Sequence, residues 1–179
     1  MAGGTRTKRK KARAHNVSDA DLQVLTFLRG DGRQKLAELY RSTGIPISTL
    51  FDKLGTFKKN NIIDKYTVLL DFEKIGFAIR ANLVIRAAPD TSEKLGSYLR
   101  THGNVNNLWK INHGYDYMVE VILRNMTEVE EFSEKIQKDF NVMSVQAFYI
   151  VRDMKREGFL SDPLSIEQMF RKEKPEAES

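Results

Sequence analysis

Gly44 and Pro46 stand between two short apolar stripes of helical period, and that interruption constrains how residues 34–61 can fold. Leu36, Leu39 and Tyr40 carry the first stripe; Leu50, Leu54 and Phe57, at i, i+4 and i+7, carry the second. Glycine suits the left-handed residue that ends a helix. Pro46 forbids continuation, because its ring fixes φ and its nitrogen carries no hydrogen. The stretch predicts two helices joined by a tight turn, the geometry of a DNA-reading helix-turn-helix and equally of a plain αα-hairpin. Upstream, Ser18 and Asp21 form a capping pattern, and Leu22, Leu25 and Leu28 continue one apolar face until Gly30 and Gly32. Three helices are therefore expected between residues 18 and 60.

Past Asn61 the period changes. IIDKYTVLL at 62–70 is rich in β-branched and aromatic residues and predicts a strand, with a short hinge at 71–76. Residues 79–87 alternate cleanly, with Ala81, Leu83, Ile85 and Ala87 on one face and Arg80, Asn82, Val84 and Arg86 on the other. A helix is expected from Pro89-Asp90-Thr91 to Arg100, then a strand over Val105–Ile111 and a turn at His113-Gly114. Tyr117, Val119, Val121 and Leu123 mark a third strand of this half. Thr127 with Glu130 reads as a capping box before a helix carrying Val129, Phe132, Ile136 and Phe140. Val145, Ala147, Tyr149 and Val151 mark the last strand.

The order β-α-β-β-α-β is the ferredoxin-like arrangement, so the fold class is α+β, a three-helix, winged-helix-like helix-turn-helix domain followed by a ferredoxin-like domain. The expected divisions are a basic arm at 1–16, a helix-turn-helix at 17–61, a strand linker at 62–77, the ferredoxin-like domain at 78–156 and a C-terminal extension at 157–179. In that extension Ser161, Asp162 and Pro163 would start a short helix bearing Ile166, Met169 and Phe170. The sheet face away from the helices carries Met118, Ile122, Phe148 and Ile150. Such a patch implies a partner, here a homodimer through the sheet, extending to an octamer or another higher oligomer.

Charge and composition narrow the function. The 179 residues are 41% hydrophobic and 30% charged, which suits a soluble chain with a real core. No apolar run approaches the ~20 residues of a membrane span, and no apolar segment follows the basic start, so neither membrane insertion nor secretion is expected. The cytoplasm is the simplest compartment. The absence of cysteine removes disulfides, thiolate metal sites and cysteine nucleophiles. His15, His102 and His113 are scattered, and no phosphate-binding loop, dinucleotide fingerprint or nucleophile elbow occurs; no metal or cofactor is expected. Net charge is +5, but Arg6, Lys8, Arg9, Lys10, Lys11 and Arg13 carry six positive charges with no acid, leaving −1 for the rest. The tail reads as an arm that tracks phosphates or as a plain solubilising segment.

The layout resembles the Lrp/AsnC (feast/famine) transcription regulators over residues 17–156. INHGYDYMVEV at 111–121 is similar to that family's glycine-aromatic-Asp turn in the effector-sensing domain. IIDKYTVLLDFEKIG at 62–76 is similar to its linker, and DGR at 31–33 and LAELYRSTGI at 36–45 also fit. The resemblance implies binding to double-stranded DNA and regulation by an amino acid or another small effector, with no enzymatic activity. It makes residues 46–60 the recognition helix, with Lys53 on phosphate, Ser48, Thr49, Asp52 and Thr56 toward base edges, and Arg33 and Lys59 as further DNA contacts. Lys8, Arg9, Lys10 and Lys11 would add arm contacts. Asn112, His113, Gly114, Tyr115 and Asp116 would form the effector turn, Asp116 holding an ammonium group.

Three departures from the family pattern stand out. Pro46 replaces the usual serine cap, Gly55 lies in mid-helix, and His113 occupies the usual glycine position of the sensing turn, with Gly114 one residue late. Two other functions fit the same layout. A related branch resembles haem-biosynthesis decarboxylases, for which His113 beside Tyr115 and Asp116 is the one hint. A low-specificity chromatin-coating protein would use the arm and the oligomer.

Overall fold

Ser18 starts the described fold in the way its side chain dictates. Its hydroxyl accepts from the Asp21 N–H while Asp21 accepts from the Ser18 N–H, a reciprocal capping box opening helix α1 (Asp19–Gly30). The structure is a computed structural model, and it describes residues 16–164. Helix α2 (Leu36–Thr43) ends at Gly44, whose φ of 71° is the left-handed stop expected there. Helix α3 (Ile47–Lys59) begins directly after Pro46, with no side-chain cap. The three helices close over Val24, Leu39, Leu50 and Phe57. Val24 sits at the centre, flanked by Leu25 and Leu28, so the buried stripe of α1 is shifted from the leucine face that the spacing suggests.

The strand expected at 62–70 is not formed within one chain. Asn61, at φ 55°, ends α3 in a Schellman arrangement: Ile62 N–H donates to Phe57 O at 2.8 Å and Asn61 N–H to Lys58 O at 3.1 Å. Ile62 and Ile63 fold down onto the helical core, and residues 64–70 run on without a ladder. Strand composition alone does not make a strand, and none is formed here among the described residues.

A 3₁₀ turn at Glu73–Ile75 precedes the sheet. Strand β1 (Ile79–Ala87), helix α4 (Ser92–Thr101), strands β2 (Val105–Lys110) and β3 (Tyr117–Leu123), helix α5 (Met126–Phe140) and strand β4 (Val142–Tyr149) follow in the expected order. The sheet order is β2-β3-β1-β4, every neighbouring pair antiparallel. Leu95 and Leu99 of α4 and Val129, Phe132 and Ile136 of α5 bury against Ala81, Leu83, Ile85, Val119 and Val121 on one face. Each large side chain so buried contributes about 1.5–3 kcal/mol. Helix α5 is capped by Asn125, which accepts from the Glu128 N–H, and Glu128 accepts from the Arg124 N–H. Thr127 and Glu130 had the right spacing, but Asn125 and Glu128 have it too, and they win the helix start.

The chain divides into two compact units. Among the described residues, 16–68 with 155–164 make one and Leu69–Met154 the other. The segment after β4 therefore returns to the helical unit, where the Arg29 guanidinium donates to Glu157 Oε2 and to Phe159 O. Pro163 and Leu164 are helical; Ile166, Met169 and Phe170 lie outside the described residues.

Candidate functional site

In the helical unit, the turn around Gly44 presents α3 with its core side set by Leu50, Leu54 and Phe57. At 100° per residue, Ser48, Asp52, Gly55 and Lys59 point opposite that side, and all are exposed. Thr49 and Thr56 are exposed on one flank. With Asp52 they line a groove of about 380 Å³ that also takes in Asn16, Val17 and Asp21. Asn16 and Val17 thus lie in the groove beside α3. Ile47 and Phe51 occupy the opposite flank, exposed, off both the core stripe and the polar face. Sequence reading passed over both, although the helical wheel of α3 already leaves them outside the core.

Lys53, on the flank of α3 with Thr49 and Thr56, is ion-paired within the helical unit. Its Nζ lies 2.5 Å from Asp21 Oδ1, with the two side chains 24% and 16% exposed. Burial alone would raise the Asp21 carboxyl, but hydrogen bonds from Lys53 and Ser18 outweigh it and hold the group below its ordinary value. The cation expected on phosphate also ties α3 to the first turn of α1 within the chain. Arg33 is exposed, its N–H donating to Asp31 Oδ1 at 2.9 Å, and it forms no ion pair among the described residues. Lys8, Arg9, Lys10 and Lys11 lie outside the described residues.

The sensing turn closes the β2–β3 hairpin. His113 and Gly114 have φ of 60° and 83°, the two positive values a two-residue type I′ loop demands. The late glycine is thus accommodated by placing His113 itself in the left-handed region. Asn112, His113 and Gly114 are exposed and Tyr115 is half-buried. Asp116 turns inward: its Oδ2 accepts from the Ala87 N–H at 2.9 Å and its Oδ1 from the Ser92 hydroxyl at 3.5 Å. Its backbone N–H donates to Ile85 O at 2.8 Å. The carboxylate expected to hold a ligand's ammonium also fixes the corner between β1 and α4. Beside it Tyr117 Oη donates to Ser92 O at 3.0 Å under Gly96.

The open sheet face differs from a simple apolar patch. Trp109 and Phe148 are exposed on it, but Ile122 is buried, and the centre is polar. Glu120, 5% exposed, accepts from Arg80 Nε at 2.6 Å, Asn106 Nδ2 at 2.6 Å and Asn107 Nδ2 at 2.5 Å. A register shift between Val105 and Asn107 brings both asparagines onto it. Burial would raise the Glu120 carboxyl, but those donors outweigh it and hold it below its ordinary value. Asn82, paired across the ladder with Glu120 and Phe148, keeps a buried Oδ1 without a hydrogen-bond partner. No sequence pattern pointed to this cluster, since its members come from three strands.

Among the described residues His102 and His113 belong to separate surroundings, His113 exposed in the turn and His102 packed among aromatic rings. His102 packs edge-on against the rings of Tyr98 and Phe132 and accepts from the Asn104 N–H through Nδ1. Burial, then the nearby Lys135 charge, hold it below its ordinary value. Among the described residues no three His, Asp or Glu side chains gather as a metal site, and no helix is long and apolar enough to cross a membrane.

Residues 81–159 match the family model for the Lrp/AsnC ligand binding domain. Over 144 residues the chain is 27% identical to an uncharacterized HTH-type transcriptional regulator of Pyrococcus furiosus, covering 80% of this chain and 97% of that one. It is 22% identical over 120 residues to the HTH-type transcriptional regulator FL11 of Pyrococcus horikoshii, covering 67% and 80%. Its fold is similar to that of a Neisseria meningitidis transcriptional regulator solved as an L-Met complex, with a TM-score of 0.74 at 20% identity, over 83% of this chain and 97% of that one.

Proposed function

Since this chain belongs to the Lrp/AsnC family of DNA-binding transcription regulators, we propose that it reads a pseudo-palindromic operator as a dimer or higher oligomer in the cytoplasm. The observation that carries this reading is the free polar face of α3. Ser48, Asp52 and Lys59 are exposed there, held at a fixed angle by the core beneath and the Lys53–Asp21 tie. Two-fold readers bind half-sites separated by whole helical turns, which gives the operator its symmetry. The basic arm leaves the described fold at Asn16, beside Thr49 and Thr56, and adds sequence-independent phosphate contacts.

Two surfaces support self-association. Among the described residues 64–69 form no strand while Tyr66, Val68 and Leu69 stay exposed, as suits a segment that pairs with another chain. The open sheet face offers Trp109 and Phe148 around a polar centre with one unfilled acceptor on Asn82.

The effector surface is the exposed part of the turn, Asn112, His113, Gly114 and Tyr115, with Asp116 as its anchor. The fold's likeness to the regulator solved with L-Met motivates an amino-acid ligand. Calorimetry against a panel of amino acids, with sedimentation velocity alongside, tests this; no heat and no change in assembly would count against it.

In vitro selection of duplex DNA by the full chain tests the main reading. A recovered site with two inverted half-sites is the expected result. A pool that never departs from random would favour a low-specificity coating protein instead.

A further inference from the structure

An apolar ridge on α3 lies outside everything assigned so far. Ile47 and Phe51, four residues apart, are 47% and 68% exposed, and the same i, i+4 row continues through Gly55 to Lys59. A single exposed phenylalanine on a protein surface needs no explanation. Gly55 changes the weight of the observation. Glycine in mid-helix is among the least favourable choices, and here no neighbour requires it, because a methyl group built on Gly55 would have no atom within 4 Å. The row therefore joins two exposed apolar groups to a glycine whose lack of a side chain answers to no neighbour among the described residues. Both features favour a surface that something outside approaches closely.

The charge at the end of α3 narrows what that surface meets. Lys58 and Lys59 close the C-terminal end of α3, and Arg41 is exposed on α2. An apolar ridge on the first turns of a helix that ends in two lysines, and that is proposed to read DNA, matches a major groove in which thymine presents a methyl group among phosphates.

We infer that Ile47 and Phe51 read thymine through its C5-methyl group, with Gly55 allowing the helix backbone to come close to the groove. The inference rests on the DNA-reading role proposed above. It assigns base discrimination partly to apolar contact, so that Ser48 and Asp52 do not carry it alone.

Replacing thymine by deoxyuridine removes the methyl group and leaves base pairing intact, which makes the test direct. With the selected site and the full chain at fixed salt, deoxyuridine at one or more thymines of each half-site should weaken binding about fourfold, the factor that burying one methyl supplies. Phe51→Ala, an exposed position whose change leaves the core intact, should bind thymine and deoxyuridine sites alike, and Phe51→Leu should retain part of the preference. Gly55→Ala should raise the melting temperature while weakening binding, a combination that loss of folding cannot produce. The inference is overturned if the native chain is indifferent to deoxyuridine at every thymine. It is also overturned if Phe51→Ala keeps the full preference, or if Phe51→Ala alters only the oligomeric state, which would make the ridge a contact with a second copy. Failure to bind any duplex selectively would remove this inference and the operator reading together; selective binding without a methyl effect removes this one alone.

Discussion

Lys53 Nζ lies 2.5 Å from Asp21 Oδ1, so a cation expected on the DNA backbone joins α3 to the first turn of α1. Asp21 also completes the cap on Ser18, and one carboxylate thereby serves both the start of α1 and the link to α3.

Lys53→Met should lower stability by about 1–2 kcal/mol, between the worth of exposed and of buried ion pairs. Urea denaturation measures it. The salt dependence of DNA affinity should stay the same in the variant, because no phosphate contact is lost. A slope shallower by about 0.9 would show that Lys53 does touch phosphate.

Gly96 faces Tyr117. A Cβ there would press on the Tyr117 hydroxyl and lie 2.9 Å from Cζ. Gly96→Ala should therefore destabilise by about 1–3 kcal/mol despite the better helix propensity of alanine. Adding Tyr117→Phe removes the oxygen and should recover part of the loss in a thermal melt. Equal melting temperatures for the native chain and Gly96→Ala would mean that the tyrosine moves freely.

Glu120 gives the sheet face its pH dependence. Burial works against its charge, yet Asn106, Asn107 and Arg80 hold its folded value below the ordinary 4.5. The unfolded chain then binds the proton more readily, so the stabilisation is complete above about pH 4.5 and is lost as pH falls through the depressed folded value. In Glu120→Gln the stability of the domain should fall less steeply with acid below that point. Parallel acid-denaturation curves for the two proteins would contradict the assignment.

Deleting residues 1–15 should lower the salt slope of DNA affinity, by up to about 0.9 for each phosphate contact removed. Anisotropy titrations at several salt concentrations measure this. An unchanged slope would mean that the arm does not touch DNA.

Local chemistry was legible where it sufficed. Ser18 and Asp21 are three residues apart and cap α1 as read, Gly44 takes its left-handed turn, and the alternation of Ala81, Leu83 and Ile85 names the buried face of β1. What failed depends on partners that no pattern specifies. The run at 62–70 has strand composition, but Ile62 and Ile63 are drawn into the end of α3 and the rest forms no strand among the described residues. Asn125 and Thr127 both had an acid three residues on, and spacing alone could not choose between them. Lys53 meets Asp21 across 32 positions, and Glu120 gathers groups from β1 and β2. The type I′ turn shows the same limit: the histidine-glycine order was visible, but that Asp116 spends its carboxylate on Ala87 and Ser92 was not.

The central claim is selective reading of DNA by α3. The ratio of affinities for the selected site and for a scrambled duplex of equal length, measured with the full chain at one physiological salt concentration, tests it most directly. The account predicts a ratio of roughly 10³ or more; a ratio near one would contradict it.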